Sequence, residues 1–340
     1  MRIGRIGGMF IGALVVVVAA WAGWWWFGAT AQQTALEGWL AERRADGWAA
    51  EAEIHVSGFP NRFDMTASGL TLADPAAGWA WSAPEFRTFM LAYAPNRIIA
   101  EWPGTHRISV PGETADLSAT ELRASADVAP DSSLALHRGI LKARELEIAS
   151  GLGWTAGMED GQLSIRDSEE VRGRANAYDG VLEIHGLRPP AAWRDLLGPK
   201  LAADLPKTLE TLRLDATAVL RRPLDRAAVE AGDLRPETVV LRASELRWGP
   251  LSLDASGRLE VDEAGVPSGA IDLRAADWRR FLEAAVAAGA VPADLAGALE
   301  AGLSLMSSLT SDGRGLEAPL RFAGGRMFLG PIPLGEAPRF

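Results

Sequence analysis

The sequence predicts a mainly β protein: an N-terminal transmembrane helix followed by an elongated, curved antiparallel β-sheet domain with a few covering helices. Three observations predict it. Between Arg5 and Glu37 the chain carries no charge. From Ala50 onward, apolar and polar residues alternate with a period of two, the signature of half-buried strands. Turn-forming pairs such as Asp74-Pro75, Pro103-Gly104, Pro111-Gly112 and Asp179-Gly180 punctuate that alternation.

The apolar stretch comes first. Leu14, Val15, Val16, Val17 and Val18 head a segment long enough for the roughly 20 residues that a bilayer-crossing helix needs. Trp24, Trp25 and Trp26 stand where such a helix leaves the hydrocarbon, as an interfacial aromatic belt. Arg2 and Arg5 put the N-terminal flank in the cytoplasm and the bulk of the chain in the periplasm, tethered to a bacterial inner membrane. Ala29-Thr30-Ala31 has the shape of a signal-peptidase site, so cleavage is the competing reading. The division expected is an anchor over 1–30, an amphipathic membrane-proximal helix over 31–48, with Leu36, Trp39, Leu40 and Arg43 at helical spacing, and a β-rich domain over 49–340.

Within that domain, strands are expected near 51–57, 62–72, 85–93, 96–102, 115–128, 132–138, 140–149, 158–166, 172–185, 208–220, 237–248, 251–261, 268–275, 315–322 and 325–330. Short helices are expected at 190–197 and 222–232, and a longer pair divided at Pro292. Leu295, Leu299, Leu303 and Met306 give the second of that pair an apolar stripe suited to packing on the sheet. The clearest alternation places Leu251, Leu253, Leu259, Val261, Ile271 and Leu273 on one face. Ser252, Asp254, Ser256, Arg258 and Glu260 fall on the other. The apolar face meets either a closed core or a lipid.

Composition removes several function classes. A net charge of −10 argues against nucleic-acid binding, which needs a clustered basic face. Cysteine is absent, so thiolate catalysis and thiolate metal sites are excluded. His55, His106, His137 and His185 do not stand at metal-ligand spacing, and structural roles are expected for them. Gly151, Gly153 and Ala156 fit a dinucleotide-binding spacing, but an alternating strand follows where the phosphate-holding helix is needed. A hairpin turn is the better reading. No catalytic residue, cofactor or metal is expected.

The segments Ile54–Leu72 (IHVSGFPNRFDMTASGLTL) and Trp81–Gly104 carry Gly58-Phe59-Pro60, Arg62-Phe63-Asp64, Ala83-Pro84-Glu85 and Tyr93-Ala94-Pro95-Asn96. With the ending GPIPLGEAPRF, these resemble the alphaproteobacterial family catalogued as domain of unknown function 2125. Asn61 departs from the aromatic expected between Pro60 and Arg62. The resemblance implies a membrane-anchored envelope protein and supplies no activity. More loosely, Trp248–Trp278 is similar to the strand–turn–strand–helix units of AsmA-like envelope proteins, which are associated with lipid handling.

Arg62 and Asp64 share a strand face and are expected to pair there; Arg62 is also the candidate for a lipid-headgroup contact. Trp79, Trp81, Phe86, Phe89 and Tyr93 fill a core or line a cavity. The expected partners are the inner membrane and a lipid-like ligand, and the expected role is binding or shielding that ligand on the apolar sheet face. The alternative is a non-catalytic assembly module that holds envelope proteins.

Overall fold

The computed structural model describes residues 3–340 except 172, 175, 290, 292 and 309–314, and describes the backbone alone for 3–13, 199, 200, 293, 295 and 306. The expected break at Pro292 and the Leu295 and Met306 side chains of the expected stripe therefore lie outside the described parts. Contacts divide the chain into two compact units, Met1–Ser118 with Arg123–Ser125, and Ala119–Leu122 with Ala126–Phe340. The sequence carries no Gly-, Ser- or Pro-rich linker at that division, which is why 49–340 reads as one domain.

Helix α1 runs unbroken over Ile3–Ala45. The boundary expected near residue 30 is absent because the chain offers no helix breaker there. Thr30 sits in mid-helix, its Oγ1 donating to the Trp26 carbonyl at 2.9 Å. From Leu14 to Ala45, α1 is long enough to cross a membrane and contains an 18-residue stretch with a mean hydropathy of 1.5.

Strands β1 (Ala49–Ser57), β2 (Arg62–Asp74), β3 (Trp79–Leu91), β4 (Ala94–Glu101), β5 (Thr105–Val110) and β6 (Glu113–Ser118) form the sheet of the first unit. Their pairings are antiparallel, with Arg62 opposite Leu91 and Asp74 opposite Trp79. The turns 58–61 and 92–93 consequently lie at the same end. Along this sheet, α1 places Trp21, Trp25, Ala29, Gln32, Leu36 and Leu40 at spacings of three and four, all partly or fully buried. Near the turn end, Trp25 and Ala29 pack with Phe63, Val56, Met90 and Ala92. Near the far end, Leu40 packs with Ala50, Leu70, Leu72 and Ala83. A Cβ at Gly28 would stand 2.8 Å from the Phe63 ring, so the close approach of helix and sheet needs glycine there.

Strand β5 was not expected, and β3 begins six residues earlier than its alternation suggests. The earlier start of β3 traces to Pro84. It falls in the gap between the Ser82–Arg107 pair with β5 and the Arg87–Glu101 pair with β4, where no N–H is required. The expected aromatic neighbourhood is a core: Trp79 packs edge-on against Trp48, and Phe86 lies between Trp81 and Trp102. Tyr93 departs from it, 68% exposed at the turn.

After β7 (Glu121–Val128), the second unit continues through β8 (Leu136–Ser150), β9 (Thr155–Asp167), β10 (Ala177–Leu187), α2 (Ala191–Asp195), α3 (Pro199–Asp204), β11 (Leu209–Leu220), α4 (Arg226–Ala231), β12 (Pro236–Trp248), β13 (Leu251–Val261) and β14 (Pro267–Ala276). It ends with α5 (Trp278–Ala287), α6 (Ala293–Ser307), β15 (Gly315–Ala323), β16 (Arg326–Leu329) and β17 (Ile332–Glu336). The strands expected at 132–138 and 140–149 are one strand, β8. Short α4 is held by its cap: Asp225 accepts from the Ala228 N–H at 2.7 Å, and Gly232 ends it in the left-handed conformation. Trp278 of α5 and Leu303 of α6 bury themselves against Ala275, Leu316 and Ala318. Leu201 of α3 and Leu205 directly after it cover Leu251.

Candidate functional site

The consecutive antiparallel pairings of the second unit bring apolar residues of successive strands into rows. One row runs Leu141, Leu163, Leu182, Leu214, Ser244, Ala255, Leu273, Ala318 from β8 to β15. A neighbouring row runs Gly139, Ile165, Gly180, Ala216, Leu241, Gly257, Ile271, Leu320 through the same strands. Strands stand about 4.8 Å apart, so each row crosses roughly 34 Å of sheet.

Of the six residues expected on the apolar face, Leu251, Leu259 and Val261 are buried near the strand ends, while Leu253, Ile271 and Leu273 are half-buried. All six share the expected face. The helices cover one end of it, at Leu251, Leu253, Ala275 and Leu316. Away from that end the rows stay accessible, with Leu141 40% and Leu214 43% exposed. Gly257 lets the backbones close up there, since a Cβ at that position would lie 2.3 Å from the Ala270 carbonyl oxygen.

The opposite face is a lattice of paired charges. Arg247 bonds Asp254 at 2.7 Å, Arg274 pairs with Glu317 at 3.0 Å, and Thr238 donates to Glu260 at 2.7 Å. At its centre, the Arg242 guanidinium bonds Asp215 at 2.5 and 2.8 Å and Asp179 at 3.0 Å. Thr217, itself a hydrogen-bond acceptor from Arg242, donates to Asp179 at 2.8 Å. Arg242 occupies a β-bulge: Leu241 pairs with Gly257 and Ser244 with Ala255, leaving one extra residue in β12. The sequence holds the signal for it. Along β12 the residues on the apolar face change from odd numbers, Val239 and Leu241, to even ones, Leu246 and Trp248, while Val240 falls on the polar face.

Burial opposes ionisation of Asp179, but hydrogen bonds from Thr217 and Arg242 outweigh it and hold its carboxyl below the ordinary range. A carboxylate depressed in the folded chain stabilises it above the unfolded value of about 3.9 and loses that contribution as pH falls through the folded value. In urea titrations, the stability gap between the native chain and Asp179→Asn should therefore be full at pH 6 and shrink below about pH 4. An unchanged gap at pH 3 would contradict the assignment.

A concavity of about 880 Å³ lies on this polar face, bordered by Thr217, Val240, Arg258 and Glu260. Its charges neutralise one another through the Arg258–Glu260 and Arg174–Glu237 pairs.

The remaining candidates resolve individually. Arg62 pairs with Asp64 as expected, but Asp64 is buried, so the pair is not the solvent-exposed one that strand spacing suggests. The Arg62 side chain is 56% exposed. The turn after Ser150 is a hairpin between β8 and β9, with Ser150 donating its N–H to the Trp154 carbonyl at 2.9 Å. His106 is buried; its Nδ1 accepts from the Trp81 indole at 3.2 Å, and burial lowers its pKa. His137 contacts Asp167 at 2.8 Å on the surface. Among the anchor residues, Leu14 to Val18, Trp24 and Trp26 are exposed, whereas Trp25 is drawn onto the sheet.

No curated protein and no solved structure matches this chain. The profile described as "uncharacterized protein conserved in bacteria", domain of unknown function 2125, matches residues 25–338, from Trp25, which stacks on Phe63, almost to the C-terminus. The chain belongs to that family.

Proposed function

We propose that this is a non-catalytic, inner-membrane-anchored envelope protein whose periplasmic part holds lipid-like molecules on the apolar face of the second unit. One observation carries the reading: in-register rows, apolar apart from Ser244, cross the sheet from β8 to β15, and Leu141 and Leu214 stay 40% and 43% exposed away from the end that α3, α5 and α6 cover. Soluble monomers rarely expose contiguous apolar area on that scale unless something binds it. An acyl chain suits such a surface because it needs no polar partner, and each methylene it buries contributes about 0.8 kcal/mol. Retention of the N-terminal segment is part of the reading. The cleavage-like Ala29-Thr30-Ala31 lies inside α1, and its Ala29 is buried against the sheet.

The test compares lipid recovered from purified full chain with two variants. Leu182→Arg places a charge in the middle of a row and should lower the lipid found by mass spectrometry several-fold. Val181→Arg, on the opposite face, should leave it unchanged. Equal recovery from all three would sink the proposal, and specific protein crosslinks with unchanged lipid would favour the assembly-module alternative.

A further inference from the structure

Beyond the lipid-holding face, the first unit carries a second apolar feature, at the turn end of its sheet. Phe59, at the tip between β1 and β2, is 54% exposed, and Tyr93, at the tip between β3 and β4, is 68% exposed. Both tips lie at the level where α1 presents Trp24, Trp26 and Phe27, which are 47%, 67% and 70% exposed. Phe59 packs edge-on against Trp25 at 5.4 Å, and Ala92 beside Tyr93 belongs to the cluster that holds Trp25 and Ala29.

Two indole N–H groups at this level are satisfied by backbone carbonyls of the turn and of β2. The Trp21 indole donates to the Pro60 carbonyl at 2.9 Å and the Trp25 indole to the Arg62 carbonyl at 2.7 Å. Bonding of that kind is what backbone needs where water is scarce. The position along α1 agrees. Arg5 and Trp25 are about 20 residues apart, the length of helix that crosses the hydrocarbon of a bilayer. A helix that enters the membrane at Arg5 leaves it where the two tips dock.

We infer that Phe59 and Tyr93, with Trp24, Trp26 and Phe27, form a collar that seats the first unit in the bilayer interface. The occupant of this surface is the lipid bilayer itself, because the patch is continuous with the membrane-spanning helix and aromatic side chains favour the headgroup level. The collar fixes the direction in which the sheet leaves the membrane, since α1 packs along β1 and β2 for the rest of its length. The inference rests on the anchoring proposed above and not on the lipid-holding face.

The chain has no cysteine, so single cysteines report unambiguously. Nitroxide labels at Phe59→Cys, Tyr93→Cys, Val16→Cys and Leu134→Cys would be compared in full-length protein reconstituted into phosphatidylethanolamine–phosphatidylglycerol vesicles. Relative accessibility to oxygen and to a water-soluble nickel chelate reads their depth. Labels at Phe59 and Tyr93 should favour oxygen several-fold more than the label at Leu134, and less than the one at Val16. Tyr93 makes no core contact, so its variant guards against a folding defect at Phe59. If Val16 is immersed while Phe59 and Tyr93 match Leu134, the collar is overturned and the anchor stands. If Val16 is also aqueous, both fall.

Discussion

Replacing Arg242 with methionine should cost the second unit about 3–5 kcal/mol, read as a lower urea midpoint of the full chain in detergent. The loss comes from what is left behind. Asp179 is buried, with 6% of its side chain exposed, and Arg242 is its nearest cation, at 3.0 Å against 3.7 Å for Arg166. Removing the guanidinium takes from Asp179 and Asp215 their shared, hydrogen-bonded counter-charge, leaving only Arg166 at 3.7 Å and Arg213 at 3.8 Å as weaker ones, and leaves the Thr217 hydroxyl without its donor. An unpaired buried carboxylate is expensive, whereas a pair removed together is not. The double variant Arg242→Met with Asp179→Asn should therefore recover part of the loss. If the single variant were as stable as the native chain, the cluster would be ornament on the surface of β12.

Much of this fold is legible in the chain, for reasons that also mark where legibility stops. Strict alternation in β13 separates Leu251, Leu253 and Leu259 from Asp254, Arg258 and Glu260, and the sheet keeps that separation. Period two fixes which residues share a face because the pleat allows nothing else. It does not say which strand lies beside which, so the rows from Leu141 to Ala318 become visible only with the pairings in place. The Arg242 cluster joins Asp179, Asp215 and Thr217 from separate strands, and sequence proximity gives no hint of it. Its single local trace is the change of phase in β12.

Trp25 shows a different limit: it packs on the sheet as well as standing in the apolar stretch. A residue that faces lipid and one that faces an apolar sheet obey the same preference, so composition assigns the three tryptophans alike. Only the recurrence of Trp21, Trp25, Ala29, Leu36 and Leu40 distinguishes the docked stripe, and it continues past the point where an anchor should end. The helix is at once a candidate membrane span and part of the fold of the first unit.

That double role sets the second large effect. Phe63→Ala should destabilise the first unit by about 3–5 kcal/mol, the usual cost of emptying a buried aromatic site. The Phe63 ring stacks on Trp25 at 5.9 Å, meets Trp24 at 6.2 Å, and fills the gap left by Gly28. Removing it opens a cavity at the seam between α1 and the sheet, and the bulky tryptophans cannot collapse into it without shifting the helix. Hydrogen exchange on the full chain in detergent should show lost protection over 21–33 and over β1 and β2, because those amides share the seam. Protection in β13 and β14, which belong to the second unit, should change least. Uniform loss across both units would mean that α1 stabilises the whole chain, and no loss at 21–33 would mean that the helix does not depend on the sheet for its protection.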